Sequence, residues 1–70
     1  MTKVVRLTGF MSRRWTSSRG EQFRKQVVRN ALREAAGAAV EIRLENGALV
    51  ERIPSDAEAK ADGYSIDRDV

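Results

Sequence analysis

The chain has 70 residues, enough for one small domain whose core leaves little material to line a deep cavity. It contains no cysteine and no histidine, which excludes disulfides, thiolate or imidazole metal sites and the usual proton carrier of neutral pH. Because no apolar run approaches the length of a membrane span, we expect a soluble cytoplasmic protein with no metal, cofactor or membrane partner.

The charge is divided unevenly along the chain. Residues 1–35 hold nine lysines and arginines against two acids, whereas residues 36–70 hold four against eight. The two halves therefore carry +7 and −4, which sum to the net charge of +3. A basic front half favours an anionic partner, and the alternative is that the acidic second half folds back over it.

The first predicted elements are a strand and a helix. Apolar and polar residues alternate over residues 3–8, which indicates a strand that ends at Gly9. Residues 10–17 follow as an apolar and basic connection for which no regular structure is predicted. Ser18 and Glu21 then have the spacing of a capping box, and Gly37 is a typical C-terminal stop. Between them apolar residues recur on one helical face, which predicts a helix over about 19–36. That face is formed by Phe23, Val27, Val28, Ala31, Leu32 and Ala35.

A hairpin is predicted after this helix. Strands are indicated over residues 40–44 and 48–53, joined by Asn46-Gly47, two residues that tolerate positive φ. Two registers remain open. A two-residue turn would pair Leu44 with Leu49 and place Glu51 opposite Ile42 on the buried face. A three-residue loop with a bulge would instead bury Val50 and leave Leu49 outside.

The order of elements predicts a small two-layer α+β domain over residues 1–55. One long helix would pack on a three-stranded sheet in the order β-α-β-β, with the first two strands parallel and the hairpin last. Residues 56–70 form an acidic C-terminal tail. Within it, Ser55 and Glu58 have capping-box spacing that predicts a short helical turn over 56–62, and disorder is the alternative. Tyr64 and Ile66 could add an edge strand.

Two groups of basic residues are candidates for a binding site. Lys25, Arg29 and Arg33 recur every four residues, so they form a row on one flank of the helix, suited to phosphates. Arg13, Arg14 and Arg19 surround Trp15, whose indole could stack on an unpaired base. The alternatives are a solvated helix face for the row and a core position for Trp15.

These observations predict a small non-catalytic accessory or regulatory module that binds nucleic acid through its basic N-terminal half. The alternative is a protein-interaction module, either a homodimer or a small inhibitor of another protein, that uses its sheet face or acidic tail. An enzyme is not expected, because no arrangement that activates a nucleophile can be recognised without histidine or cysteine.

Overall fold

The fold is an α+β domain, as predicted. A computed structural model describes residues 1–64. Its elements are β1 (Lys3–Leu7), α1 (Gly9–Thr16), α2 (Gly20–Ala35), β2 (Val40–Leu44), β3 (Leu49–Ile53) and α3 (Asp56–Ala61). The predicted β-α-β-β order is kept, with α1 added before α2 and with α3 where the short helical turn was predicted. The described residues include no helix that is both long and apolar enough to cross a membrane.

The three strands lie in the order β1-β2-β3. β1 runs parallel to β2, with Val5 beside Ile42 and Leu7 beside Leu44, and β2 runs antiparallel to β3. The helices between β1 and β2 form the crossover that a parallel pair requires. Both β1 and β3 are therefore edge strands.

The core lies between one face of the sheet and the helices α1 and α2. Leu7, Val40 and Ile42 are the largest fully buried side chains, and Ala31 and Leu32 of α2 pack against them. Val28 and Ala35 extend this contact from α2. The predicted apolar face of the helix is thus correct over its second half.

Residues 10–17, for which no regular structure was predicted, form most of α1. The Thr8 hydroxyl caps the helix by accepting from the Met11 amide, at 3.5 Å. Met11 and Trp15 are four residues apart, so they share one face of the helix and pack against the core. The crossover therefore holds two helices rather than the single one predicted.

The capping box predicted at Ser18 is wrong. α2 begins at Gly20, its N-cap is Arg19, and no side chain caps it. The link between the helices is short, and a backbone hydrogen bond closes it. In this bond the Gly20 amide donates to the Ser17 carbonyl at 3.0 Å. The other end of α2 is closed by Ala36 in the left-handed conformation, one residue before the predicted Gly37.

The hairpin combines features of both predicted registers. Leu44 and Ala48 flank a three-residue loop, in which the Leu44 amide donates to the Ala48 carbonyl at 2.9 Å. Of the two turn residues, Gly47 has positive φ and Asn46 does not. Arg43 pairs with Leu49 but Ile42 pairs with Glu51, so Val50 is an extra residue in a β-bulge.

This bulge decides which hairpin side chains are buried. It returns the far end of β3 to the register of a two-residue turn, which places Glu51 opposite Ile42. Glu51 is accommodated there because Arg24 of α2 forms an ion pair with it. Leu49 and Val50 are 50% and 41% exposed, so the structure buries neither the residue that the two-residue turn would bury nor the one that the three-residue loop would bury.

The helix α3 lies within the segment where a short helical turn was predicted. The Ser55 hydroxyl caps it by accepting from the Glu58 amide at 3.2 Å, and Ala59 is buried. The Glu58 carboxylate reaches back to Arg52 of β3, at 3.0 Å. Tyr64 is outside any strand, and the proposed strand position of Ile66 lies outside the described residues.

Candidate functional site

A basic groove runs along the surface formed by α1, the helix link and the first half of α2. It has a volume of about 480 Å³ and is open to solvent. We use the name basic groove for the surface lined by Arg14, Arg19, Gln22, Phe23, Lys25, Gln26 and Arg29. Four of these seven side chains are cations, and no acidic side chain of the described residues lines the groove.

The local structure explains why these cations converge. Gln22, Gln26 and Arg29 recur at intervals of four and three, so they form one outward strip of α2. Arg19 immediately precedes the helix, and Arg14 reaches the same surface from the last turn of α1. The short link from Ser17 to Arg19 is what brings the two helices together at this point.

Three acids of the second half of the chain pair with cations outside the groove. Glu41, Glu51 and Glu58 contact Arg43, Arg24 and Arg52, respectively, none of which lines the groove. Near the N-terminus, Lys3 contacts Glu34 at 2.9 Å. The positive charge of the groove is therefore not neutralised by these four carboxylates.

Two of these ion pairs perturb the acid involved. A hydrogen bond from the Lys3 ammonium lowers the pKa of Glu34, and a hydrogen bond from the Arg52 guanidinium lowers the pKa of Glu58. Glu58 in turn raises the pKa of Arg52. One pair joins β1 to α2 and the other joins β3 to α3, and none of the four residues lines the groove.

Four of the seven residues predicted for the site line this surface, namely Arg14, Arg19, Lys25 and Arg29. Arg33 is exposed one turn further along α2 and continues the row beyond the groove. Arg13 is exposed on α1 but is not among the groove-lining residues.

Trp15 occupies a different position from these cations. It is half-buried and packs against the core cluster, and the Arg24 guanidinium lies 5.8 Å from the centre of its ring. Arg24 is held there by Glu51. The indole therefore anchors α1 to the interior instead of facing the groove.

The sequence did not reveal that two aromatic rings contact Arg14 of the groove. The Arg14 guanidinium lies over the Phe10 ring at 4.6 Å and over the Phe23 ring at 5.6 Å. Phe10 and Arg14 are four residues apart, so they share a face of α1. That spacing would have revealed the pair only if residues 10–17 had been predicted to be helical.

Comparisons with protein-family models, with curated proteins and with solved structures find no match to this chain. The described residues contain no group of three or more acidic side chains placed to hold a metal ion. The side chains that line the groove are suited to binding an extended anion.

Proposed function

We propose that the protein is a small, non-catalytic accessory or regulatory module that binds nucleic acid through the basic groove. The observation that carries the proposal is the convergence of Arg14, Arg19, Lys25 and Arg29 on one surface, whose lining includes no acidic side chain of the described residues. Cations that neutralise phosphates release condensed counterions, which supplies most of the affinity of non-specific binding. We also propose that the protein binds this ligand in the cytoplasm.

The shape and chemistry of the groove support a polyanion over a small metabolite. An open groove along a helix leaves space for a backbone to pass through, whereas small ligands are usually enclosed in a pocket. Arginine side chains donate to phosphate oxygens in a fork geometry, and glutamine amides add neutral hydrogen bonds. Arginine, lysine and glutamine bind anions but do not transfer protons readily at neutral pH, which supports a binding role.

Salt-dependent titration of the full chain with generic single- and double-stranded oligonucleotides tests the proposal. The substitutions Arg19→Gln and Lys25→Gln each remove one positive charge. Each should lower the magnitude of the slope of log affinity against log salt concentration. The expected change is about 0.9 per lost phosphate contact with duplex DNA and about 0.7 with a single strand. Binding should weaken alike for unrelated base sequences, because phosphate contacts carry no sequence information.

Lys60→Gln is the matched control. It removes the same charge from an exposed position on α3, away from the groove. It should leave the slope unchanged if the groove is the binding surface. Absence of binding to any nucleic acid at low salt would refute the proposal, and so would an equal effect of Lys60→Gln.

A second candidate function is a protein-interaction module. It is favoured by Leu49 and Val50, two exposed apolar neighbours at the bulged end of the edge strand β3. Exposed edge strands and apolar patches are common sites of association. Sedimentation of the parent chain and of Leu49→Ser tests self-association, which should be reduced by the substitution if this surface is used.

A further inference from the structure

Phe10 is a large aromatic residue that is exposed and does not pack against the core. Its side chain is 64% exposed and it is not among the residues packed against the core. The Arg14 guanidinium covers one side of the ring at 4.6 Å. With one side covered and most of the ring exposed, the opposite side faces solvent.

The backbone that carries this ring is held at the start of α1. It lies in the first turn of α1, which is capped by Thr8 and closed by a hydrogen bond from the Ser12 hydroxyl to the Gly9 carbonyl at 3.0 Å. Arg14 is positioned in turn between Phe10 and Phe23. The backbone at Phe10 is therefore ordered before a ligand binds, which lowers the entropy that stacking on the ring would cost.

Arg14 connects this ring to the basic groove. The same guanidinium contacts Phe10 and lines the groove with Arg19 and Lys25. A strand whose phosphates follow the groove therefore passes beside an open aromatic face. Bases stack on such faces, but those of a duplex already stack on one another and do not present theirs.

We infer that the ligand of the groove is single-stranded nucleic acid, with Phe10 as the residue on which an unpaired base stacks. This inference rests on the function proposed above and specifies it. It assigns to Phe10 the stacking role that the sequence suggested for Trp15, whose ring packs against the core.

The test compares Phe10→Leu with Phe10→Trp in the full chain. Leucine keeps an apolar side chain but has no aromatic face, whereas tryptophan extends that face. Probes are oligothymidylate and oligouridylate of about 12 nucleotides, within the usual site sizes, and a duplex of equal length. The tighter of the two strands indicates whether DNA or RNA is preferred.

Phe10→Leu should weaken single-strand binding by roughly 5- to 150-fold, the effect expected of one lost stacked base. Duplex binding should change by less than about two-fold, because the phosphate contacts remain. Phe10→Trp should bind the single strand at least as tightly as the parent. Val4→Ala, which alters an exposed apolar residue on β1, is the control and should bind like the parent.

An abasic strand distinguishes two causes of weaker binding by Phe10→Leu, the loss of base stacking and a displacement of Arg14. Parent and Phe10→Leu should bind it equally, since it offers phosphates but no bases. Equal losses on abasic and normal strands, or on duplex and single strand, would overturn this inference while the proposed function stands. Failure of the parent to bind any of the probes would instead overturn the proposed function itself.

Discussion

Gly20 lies so close to Arg14 that a Cβ atom built on Gly20 would stand 1.4 Å from the Arg14 carbonyl oxygen. The contact joins the start of α2 to the last turn of α1, and Gly20 is buried there. Because the neighbouring atom belongs to the backbone, it cannot rotate away as a side chain could. The absence of a side chain at Gly20 is therefore what allows Arg14 to reach the groove.

Gly20→Ala should consequently destabilise the protein, although alanine is the better helix former. The methyl group would force α1 away from α2, and overpacking of this kind typically costs about 1–3 kcal/mol or more. For a domain of this size, each kcal/mol lowers the melting temperature by about 4–8 °C. Thermal unfolding followed by circular dichroism measures the effect.

Gly9→Ala is the control for this substitution. Gly9 also stands at the first position of a helix, but a Cβ there would meet nothing within 4 Å. It should be neutral or slightly stabilising, because alanine has the higher helix propensity. Similar melting temperatures for the two variants would contradict the close approach at Gly20.

Leu32→Ala and Phe23→Ala should differ in cost. Leu32 is buried in the core cluster, so its truncation should cost about 2–5 kcal/mol. Phe23 is half-buried beside Arg14 and outside that cluster, so its truncation should cost clearly less. Chemical denaturation of both variants gives the ranking, and a larger loss for Phe23→Ala would show that the groove side of α2 is more deeply packed.

The contrast between these two residues shows what the sequence could and could not predict. Apolar periodicity predicted a helix and its general inward face, because both depend on local spacing. It could not predict that Leu32 is buried more deeply than Phe23, since depth of burial depends on where the sheet ends relative to the helix. In the same way, the residues of the hairpin predicted a turn, but the bulge at Val50 depends on the ion pair and packing available to Glu51.

The candidate site was predictable to a similar extent. The row of Lys25 and Arg29 followed from a spacing of four residues on α2. Joining Arg14 to that row required knowledge of α1, whose eight residues carry a short apolar pattern. Trp15 and Phe10 are both aromatic residues near arginines, and only the tertiary contacts distinguish the inward ring from the exposed one.

Ala36→Gly should stabilise the fold. Ala36 has φ of 50° and ψ of 45°, a left-handed conformation that costs an L-residue roughly 1–2 kcal/mol. Glycine removes that strain but adds about 0.5–1 kcal/mol of chain entropy, so the net gain should be about 0.5–1 kcal/mol. Ala35→Gly, one residue earlier within α2, should instead destabilise by about 1 kcal/mol. Equal signs for the two substitutions in denaturant titrations would exclude this account of the helix end.

Acid should weaken the fold through Glu34 and Glu58. The pKa of each is below its ordinary value of 4.5 in the folded state, because Lys3 and Arg52 hydrogen-bond to the carboxylates. A lowered pKa means that the stabilisation is fully present above about pH 4.5 and is lost as the pH falls through the folded-state value. Unfolding free energies measured across this range should therefore decline on the acid side.

Glu58→Gln isolates one of these contributions. The variant should be less stable than the parent at neutral pH, and the difference should close as the pH falls below the range in which Glu58 is ionised. Glu45→Gln, at an exposed position in the hairpin turn, is the control and should follow the parent curve. A difference between Glu58→Gln and parent that grew in acid would reverse the assigned sign.

Nucleic-acid affinity should not depend on pH between about pH 6 and pH 9. Proteins that bind anions through histidine lose affinity within this range, because histidine loses its charge there. The chain contains no histidine, and the cations of the groove are arginine and lysine. Histidine is the side chain whose charge ordinarily changes near neutral pH, and a groove without it keeps the same contacts across that range. Fluorescence titrations at constant ionic strength should give dissociation constants that agree within about two-fold.

The same titrations with Lys25→Arg should give the same flat profile, because the charge is kept. A clear loss of affinity between pH 6 and 8 would mean that a titrating group outside the groove controls binding, and the site would then have to be placed elsewhere on the molecule.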